Sequence, residues 1–371
     1  MVQSKIQPIQ LFVLMVLFEL GSAVVVGLGL EAKQDAWIAI LLGMTGGIVL
    51  FSLYVYLYTQ YPTLPLTNYL EKIVGKFIGR ILATVYICLF LYIAARVLRD
   101  LCDLLLTNVL YETPILAVAI MMMLAISFGC YLGFEVIART AEIFFPWVLF
   151  FGFLFLLFIF ISGLPKVENL QPVLESGWKP VFQAAFPTIV SFPFGETIVF
   201  AIFFPYLNHK KQVITAGFSA IIFSGILLTS ITTIMISVFG PFFVTKITFP
   251  LLESVGKVNI GEVFQRLDPI ALILLIIGGF FKITVFFCGA VEGFSSLVKK
   301  PNLTKFSIPI MAIAVIVMAI LMADNYVEHI KIGLDIVPYI LFIPLFMVIP
   351  FLLVVIVMIK KKITKKKQTR G

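Results

Sequence analysis

The chain has 371 residues, 61% of them hydrophobic and 12% charged, with a mean hydropathy of +1.12 and a net charge of +8. Soluble domains carry about 25% charged and about 45–50% apolar residues, so this composition, with its 38 phenylalanines, excludes a water-soluble globular fold and makes lipid the solvent for much of the surface. Cys88, Cys102, Cys130 and Cys288 lie inside apolar runs without a CxxC pair, and His209 and His329 fall in polar loops far apart in sequence. That pattern points to no metal, no cofactor and no enzyme.

Apolar runs of spanning length fall at 10–30, 36–59, 81–109, 115–133, 143–163, 182–205, 213–239, 268–292, 306–323 and 336–359, which predicts about ten transmembrane helices. The first run begins at Leu11, lacks a basic leader and continues past Val26, so it reads as a span and not as a cleaved signal. Basic residues concentrate in one set of loops (Lys72, Lys76, Arg80, Arg139, Lys210, Lys211, Lys299, Lys300, Lys305), beside Lys5 and the tail Lys360–Arg370. The positive-inside rule then predicts both termini on the cytoplasmic side. Residues 1–359 are expected to form one polytopic domain and residues 360–371 a basic cytoplasmic tail that needs no nucleic-acid partner. The outer loop 240–266 carries Phe249, Leu251, Leu252, Val255, Val258, Ile260, Val263 and Phe264, and reads as an interfacial helix or as a docking surface.

Ionisable and helix-breaking residues are costly in lipid, about 2.5–3.5 kcal/mol for a central charge on insertion scales, so each one calls for a reason. The first span carries Glu19 and then Gly21-Ser22-Ala23. Unwinding there would aim backbone N–H groups at a ligand carboxylate; the competing reading is a small-residue packing face made by Gly21, Val25 and Gly29. The third span carries Arg96, Arg99, Asp100 and Asp103, which pair as Arg96–Asp100 and Arg99–Asp103 at i,i+4 spacing, either as a structural network or as a gate. The sixth span reads Phe192-Pro193-Phe194-Gly195-Glu196, where proline removes a donor and a break is expected. In the eighth, Lys282 has no acid within four positions and looks to Glu19 or Glu196 for a partner. A buried ammonium of this kind can replace a cation or titrate. Interrupted helices in the first and sixth positions of ten spans mark a five-plus-five inverted repeat with a site at its centre.

Ile9-Gln10-Leu11-Phe12, Lys33-Gln34-Asp35-Ala36-Trp37, Pro193-Phe194-Gly195-Glu196, Arg266-Leu267-Asp268-Pro269-Ile270 and Phe281-Lys282-Ile283 resemble the spore germination permease family, the B subunits of Ger-type germinant receptors. The resemblance runs from about Pro8 to the last span. It implies the amino acid–polyamine–organocation superfamily, with a LeuT-type fold in which helices 1 and 6 are discontinuous. It further implies a place in the inner spore membrane beside a channel-like A subunit and a lipoprotein C subunit, and a germinant such as an amino acid as ligand. In that setting Gly21, Ser22 and Ala23 would take the ligand carboxylate. Carbonyls near Phe192, Phe194 and Gly195 would take its amine, and Phe287 would shape the side-chain pocket. Glu19, Arg96, Arg99, Asp100, Asp103, Glu196 and Lys282 would serve coupling or gating. A proton- or cation-coupled amino-acid permease uses the same pocket, and a scaffold subunit without a ligand is the third reading.

Overall fold

The computed structural model describes residues 6–207, 210–261, 264–299 and 301–368. The expectations placed on Lys5, His209, Val263, Lys300 and the last residues of the tail lie outside these segments. Among the described residues nine helices are long and apolar enough to cross a membrane, ten if one bent pair counts as a span. The protein has an all-α integral membrane fold.

Helix α1 covers Pro8–Val26. At about 1.5 Å per residue it is long enough for a hydrocarbon core of about 30 Å. Pro8 at its first position sacrifices an N–H that no helix would use. The interruption expected at Gly21–Ala23 is not there: α1 runs unbroken through these residues and stops at Gly27 and Gly29, whose φ angles of 76° and 71° favour glycine. Next come α2 (Ala36–Gln60), the short α3 (Leu66–Val74), α4 (Lys76–Asn108), α5 (Ile115–Leu132) and α6 (Phe134–Ile161). The sixth span, α7 (Trp178–Ile202), is broken as predicted. Phe192 takes extended angles (φ −125°, ψ 115°), and so does Phe186 (φ −122°, ψ 130°). Each precedes a proline, whose ring crowds the residue before it out of the helical region.

Helix α8 (Lys210–Phe239) leads to the loop that carries α9 (Pro250–Gly256) and a two-residue antiparallel ladder, Asn259–Ile260 with Phe264–Gln265. Phe249, Leu252, Val255 and Val258 of this loop are buried. Its apolar side therefore packs on the bundle, and the expected interfacial helix is replaced by a cap. Helix α10 (Asp268–Val298) and α11 (Pro301–Leu321) follow. The chain then turns by 108° into α12 (Tyr326–Ile336), started by the Asn325 side chain, which accepts the Glu328 N–H at 2.9 Å. The last span, α13 (Pro338–Thr364), carries Pro344 within wide π-type turns and Pro350 just after them, where the α-helix resumes.

Helices α1 and α7 are the most enclosed spans, and α5 and α6 the most exposed. The centre is therefore built on α1 and α7, flanked by α2, α4, α8 and α10. Close approach is bought with glycine: Gly43, Gly46 and Gly47 of α2 leave room for Ile189, Val190 and Phe194 of the broken α7 segment. Gly21 on α1 faces Gly278 on α10, where an added Cβ would stand 2.8 Å from the Gly278 carbonyl oxygen. Of the small-residue face expected in the first span, Gly21 packs on α10, whereas Gly29 lies beyond the end of α1 and faces Ile189 and Ile40.

Candidate functional site

Every backbone group released inside lipid must find another partner, and this demand explains the tyrosines around the breaks. Pro350 has no N–H for the carbonyl four residues earlier, at Phe346. The Tyr54 hydroxyl from α2 serves that oxygen at 2.7 Å and lies 3.1 Å from the Gly195 carbonyl oxygen of α7. Tyr86 of α4 serves the Leu345 carbonyl at 2.6 Å. Within α7, Thr197 donates to the Phe194 carbonyl at 2.7 Å. The carbonyls of Phe194 and Gly195 are thus occupied by protein groups.

Charge is handled in three clusters. In the first, Lys282 Nζ lies 2.6 Å from Glu196 Oε2, with both side chains buried. The ammonium also sits over the Phe192 ring at 4.4 Å and the Phe18 ring at 5.2 Å, the electron-rich faces adding to its stabilisation. Of the two partners expected for Lys282, Glu196 makes the contact. Glu19 instead takes a hydrogen bond from Ser224 of α8 through Oε2; its Oε1 has no hydrogen-bond partner among the described residues.

In the second cluster, Arg99 donates to Asp103 at 2.8 Å, the i,i+4 pair read from the sequence. The same guanidinium reaches the carbonyls of Ala319 and Ile320 at 3.3 Å. These belong to the open C-terminal end of α11, where a cation complements both the unpaired acceptors and the helix dipole.

The third cluster differs from expectation. Arg96 does not pair with Asp100. Its Nη2 donates to the His329 carbonyl at 2.8 Å, while His329 Nε2 lies 2.9 Å from Asp100 Oδ1. His329 is fully buried, so the polar-loop placement is corrected: the sharp turn before α12 swings it back into the bundle. Gly333, one turn further on, leaves the space that the Arg96 guanidinium fills.

A small cavity of about 40 Å³ lies among these groups, lined by residues that include Ser22, Arg96, Asp100, Phe192, Glu196 and Gly333. The Ser22 hydroxyl has no hydrogen-bond partner among the described residues. The structure thus brings Ser22, Phe192, Glu196, Arg96 and Asp100 together, with Lys282 behind Glu196. Ala23, Phe194, Gly195 and Phe287 are buried but do not line this space, and Arg99 and Asp103 belong to the α11 end. Gly21 serves the contact with α10. Sequence reading missed His329, Gly333, Ser224 and Tyr54. A signal existed only for the first: the Asn325-x-x-Glu328 start of a helix, which would carry His329 on its first turns.

The profile of the family described as "Spore germination protein" matches residues 5–327. Spore germination protein KB of Bacillus subtilis (strain 168) is 36% identical over 371 residues, covering 100% of this chain and 99% of that protein. Spore germination protein A2 of the same organism is 27% identical over 342 residues (90% of this chain and 88% of that one). Spore germination protein YndE is 27% identical over 277 residues, 73% and 74% of the two chains. A polytopic helical bundle with a broken span at its centre and a match of this extent lead to one conclusion: the chain belongs to the spore germination protein family.

Proposed function

We propose that the chain is the germinant-sensing membrane subunit of a spore germination receptor, with a small zwitterion such as an amino acid as its ligand. The observation that carries this reading is the polar cavity at the α7 break. Ser22 and Arg96 offer donors there to a carboxylate, Asp100 and Glu196 offer acceptors to an ammonium, and Ile93, Val97 and Phe192 supply apolar wall. At about 40 Å³ the space holds a few waters and falls far below the about 300–1,000 Å³ of open ligand pockets. The conformation is therefore the closed one, and a ligand acts by favouring a wider arrangement of α7 and α12. The wider reading includes a five-plus-five repeat, cytoplasmic termini, residence in the inner spore membrane, and A and C subunits that register the change.

Binding measured by calorimetry on the purified, lipid-reconstituted chain across the amino acids tests the proposal. A saturable heat that Ser22→Leu and Arg96→Gln both abolish is expected. No binding to any amino acid, with the protein folded, would leave the scaffold reading in its place. A second reading, a coupled permease, draws on the enclosed Glu196–Lys282 pair beside Glu19, since intramembrane ionisable groups of this kind mark ion and proton pathways. Uptake of a labelled ligand by proteoliposomes, driven by a proton or sodium gradient, would support it; binding without flux supports the sensor.

A further inference from the structure

A second cavity, about 310 Å³ in volume, lies between α1, α6, α8 and α10. Its wall is wholly apolar, formed by residues such as Leu17, Leu156, Leu227 and Leu274, and Leu251 of the α9 loop closes one end. Gly21 and Gly278 form part of its floor, at the point where the backbones of α1 and α10 meet. No polar side chain of the sensing site enters it. The inference therefore stands apart from the functional proposal.

Protein interiors pack as densely as organic crystals, with few voids larger than a water molecule. An apolar cavity of this kind does not hold water and takes up hydrocarbon instead. This one is open toward α6, the most exposed of the spans. Phe153 at its mouth is 69% exposed, and beside it Gly152 has open space where a Cβ would stand. The medium outside that mouth is the bilayer core. We propose that the cavity is a lipid site, which holds one acyl chain of a phospholipid from the leaflet on the α9 side, threaded between α6 and its neighbours and resting against the Gly21–Gly278 contact. The chain end lies one helical turn from Lys282, so occupancy bears on the α1–α10 seat of the buried ion pair.

The test uses the full chain in vesicles of palmitoyl-oleoyl phosphatidylglycerol carrying a diazirine at the end of one acyl chain. After illumination, adducts are mapped by peptide mass spectrometry. Leu17 and Leu275 are nearly or fully buried and touch hydrocarbon only through the cavity. Adducts at either residue are expected, and they should disappear in Gly152→Phe, which plugs the mouth. Ala271→Leu, on the opposite wall, repeats the blockade should Gly152→Phe fail to fold. Labelling of the wild-type chain confined to outward-facing residues such as Phe150 and Phe160 overturns the proposal, as does labelling at Leu17 that survives both folded variants.

Discussion

Glu196 and Lys282 sit 2.6 Å apart with side chains that are essentially inaccessible, one on the broken α7 and the other on the straight α10. Two charges removed from solvent are tolerable as a pair and costly alone. Glu196→Gln or Lys282→Met leaves the partner uncompensated, with an expected loss of about 3–5 kcal/mol. The double variant should recover most of it. Thermal unfolding in detergent micelles reads the difference; single variants that melt with the wild type would show the pair to be energetically silent.

Asp100 depends on His329 in the same way. Replacing His329 by Leu removes the Asp100 partner but leaves the backbone carbonyl that Arg96 uses. An unsatisfied buried acceptor costs about 1–3 kcal/mol, more when charged. A double-mutant cycle with Asp100→Asn should return a coupling energy of about 0.5–3 kcal/mol. Strict additivity of the two substitutions would mean that the contact does not hold α12 to α4.

The glycines of the first and sixth helices of the element order make opposite predictions. A Cβ on Gly21 would meet the Gly278 carbonyl oxygen at 2.8 Å and Lys282 Cβ at 3.0 Å, whereas one on Gly152 meets nothing within 4 Å. Gly21→Ala should therefore destabilise, by about 1–3 kcal/mol as overpacking does. Gly21→Leu, with more atoms to place against the same carbonyl, should lower the melting temperature further. Gly152→Ala should be neutral or gain up to about 1 kcal/mol of helix propensity. Equal melting behaviour of the two alanine variants would contradict the observed packing.

Tyr54 joins two proline-interrupted spans through one hydroxyl, at 2.7 Å from the Phe346 oxygen and 3.1 Å from the Gly195 oxygen. Tyr54→Phe keeps the ring and strips both carbonyls of this donor, for an expected cost of about 1–3 kcal/mol. Hydrogen exchange should rise in the α7 break and in the first half of α13 together. Exchange raised in neither segment would separate the hydroxyl from the stability of the breaks.

Local chemistry was enough to read the spans from the sequence, because hydrophobic length is a property of the run itself. The same holds for the break at Phe192-Pro193, which follows from a ring that excludes helical angles one residue back, and for Arg99–Asp103, set by i,i+4 spacing. The first span shows where this kind of reading ends. Gly21-Ser22-Ala23 is equally suited to unwinding and to close packing, and the presence of Gly278 across the interface decided for packing. Lys282 had two possible acids on two other helices, and only the crossing of α7 over α10 selected Glu196 and left Glu19 to Ser224. His329 looked like a loop residue until the 108° turn before α12 buried it against Asp100. The sequence by itself determined which segments lie in lipid and which of them cannot stay helical, since both depend on neighbours along the chain. Which charges meet, and what cavity they enclose, depended on contacts between residues far apart along the chain, and those exist only once the helices have packed.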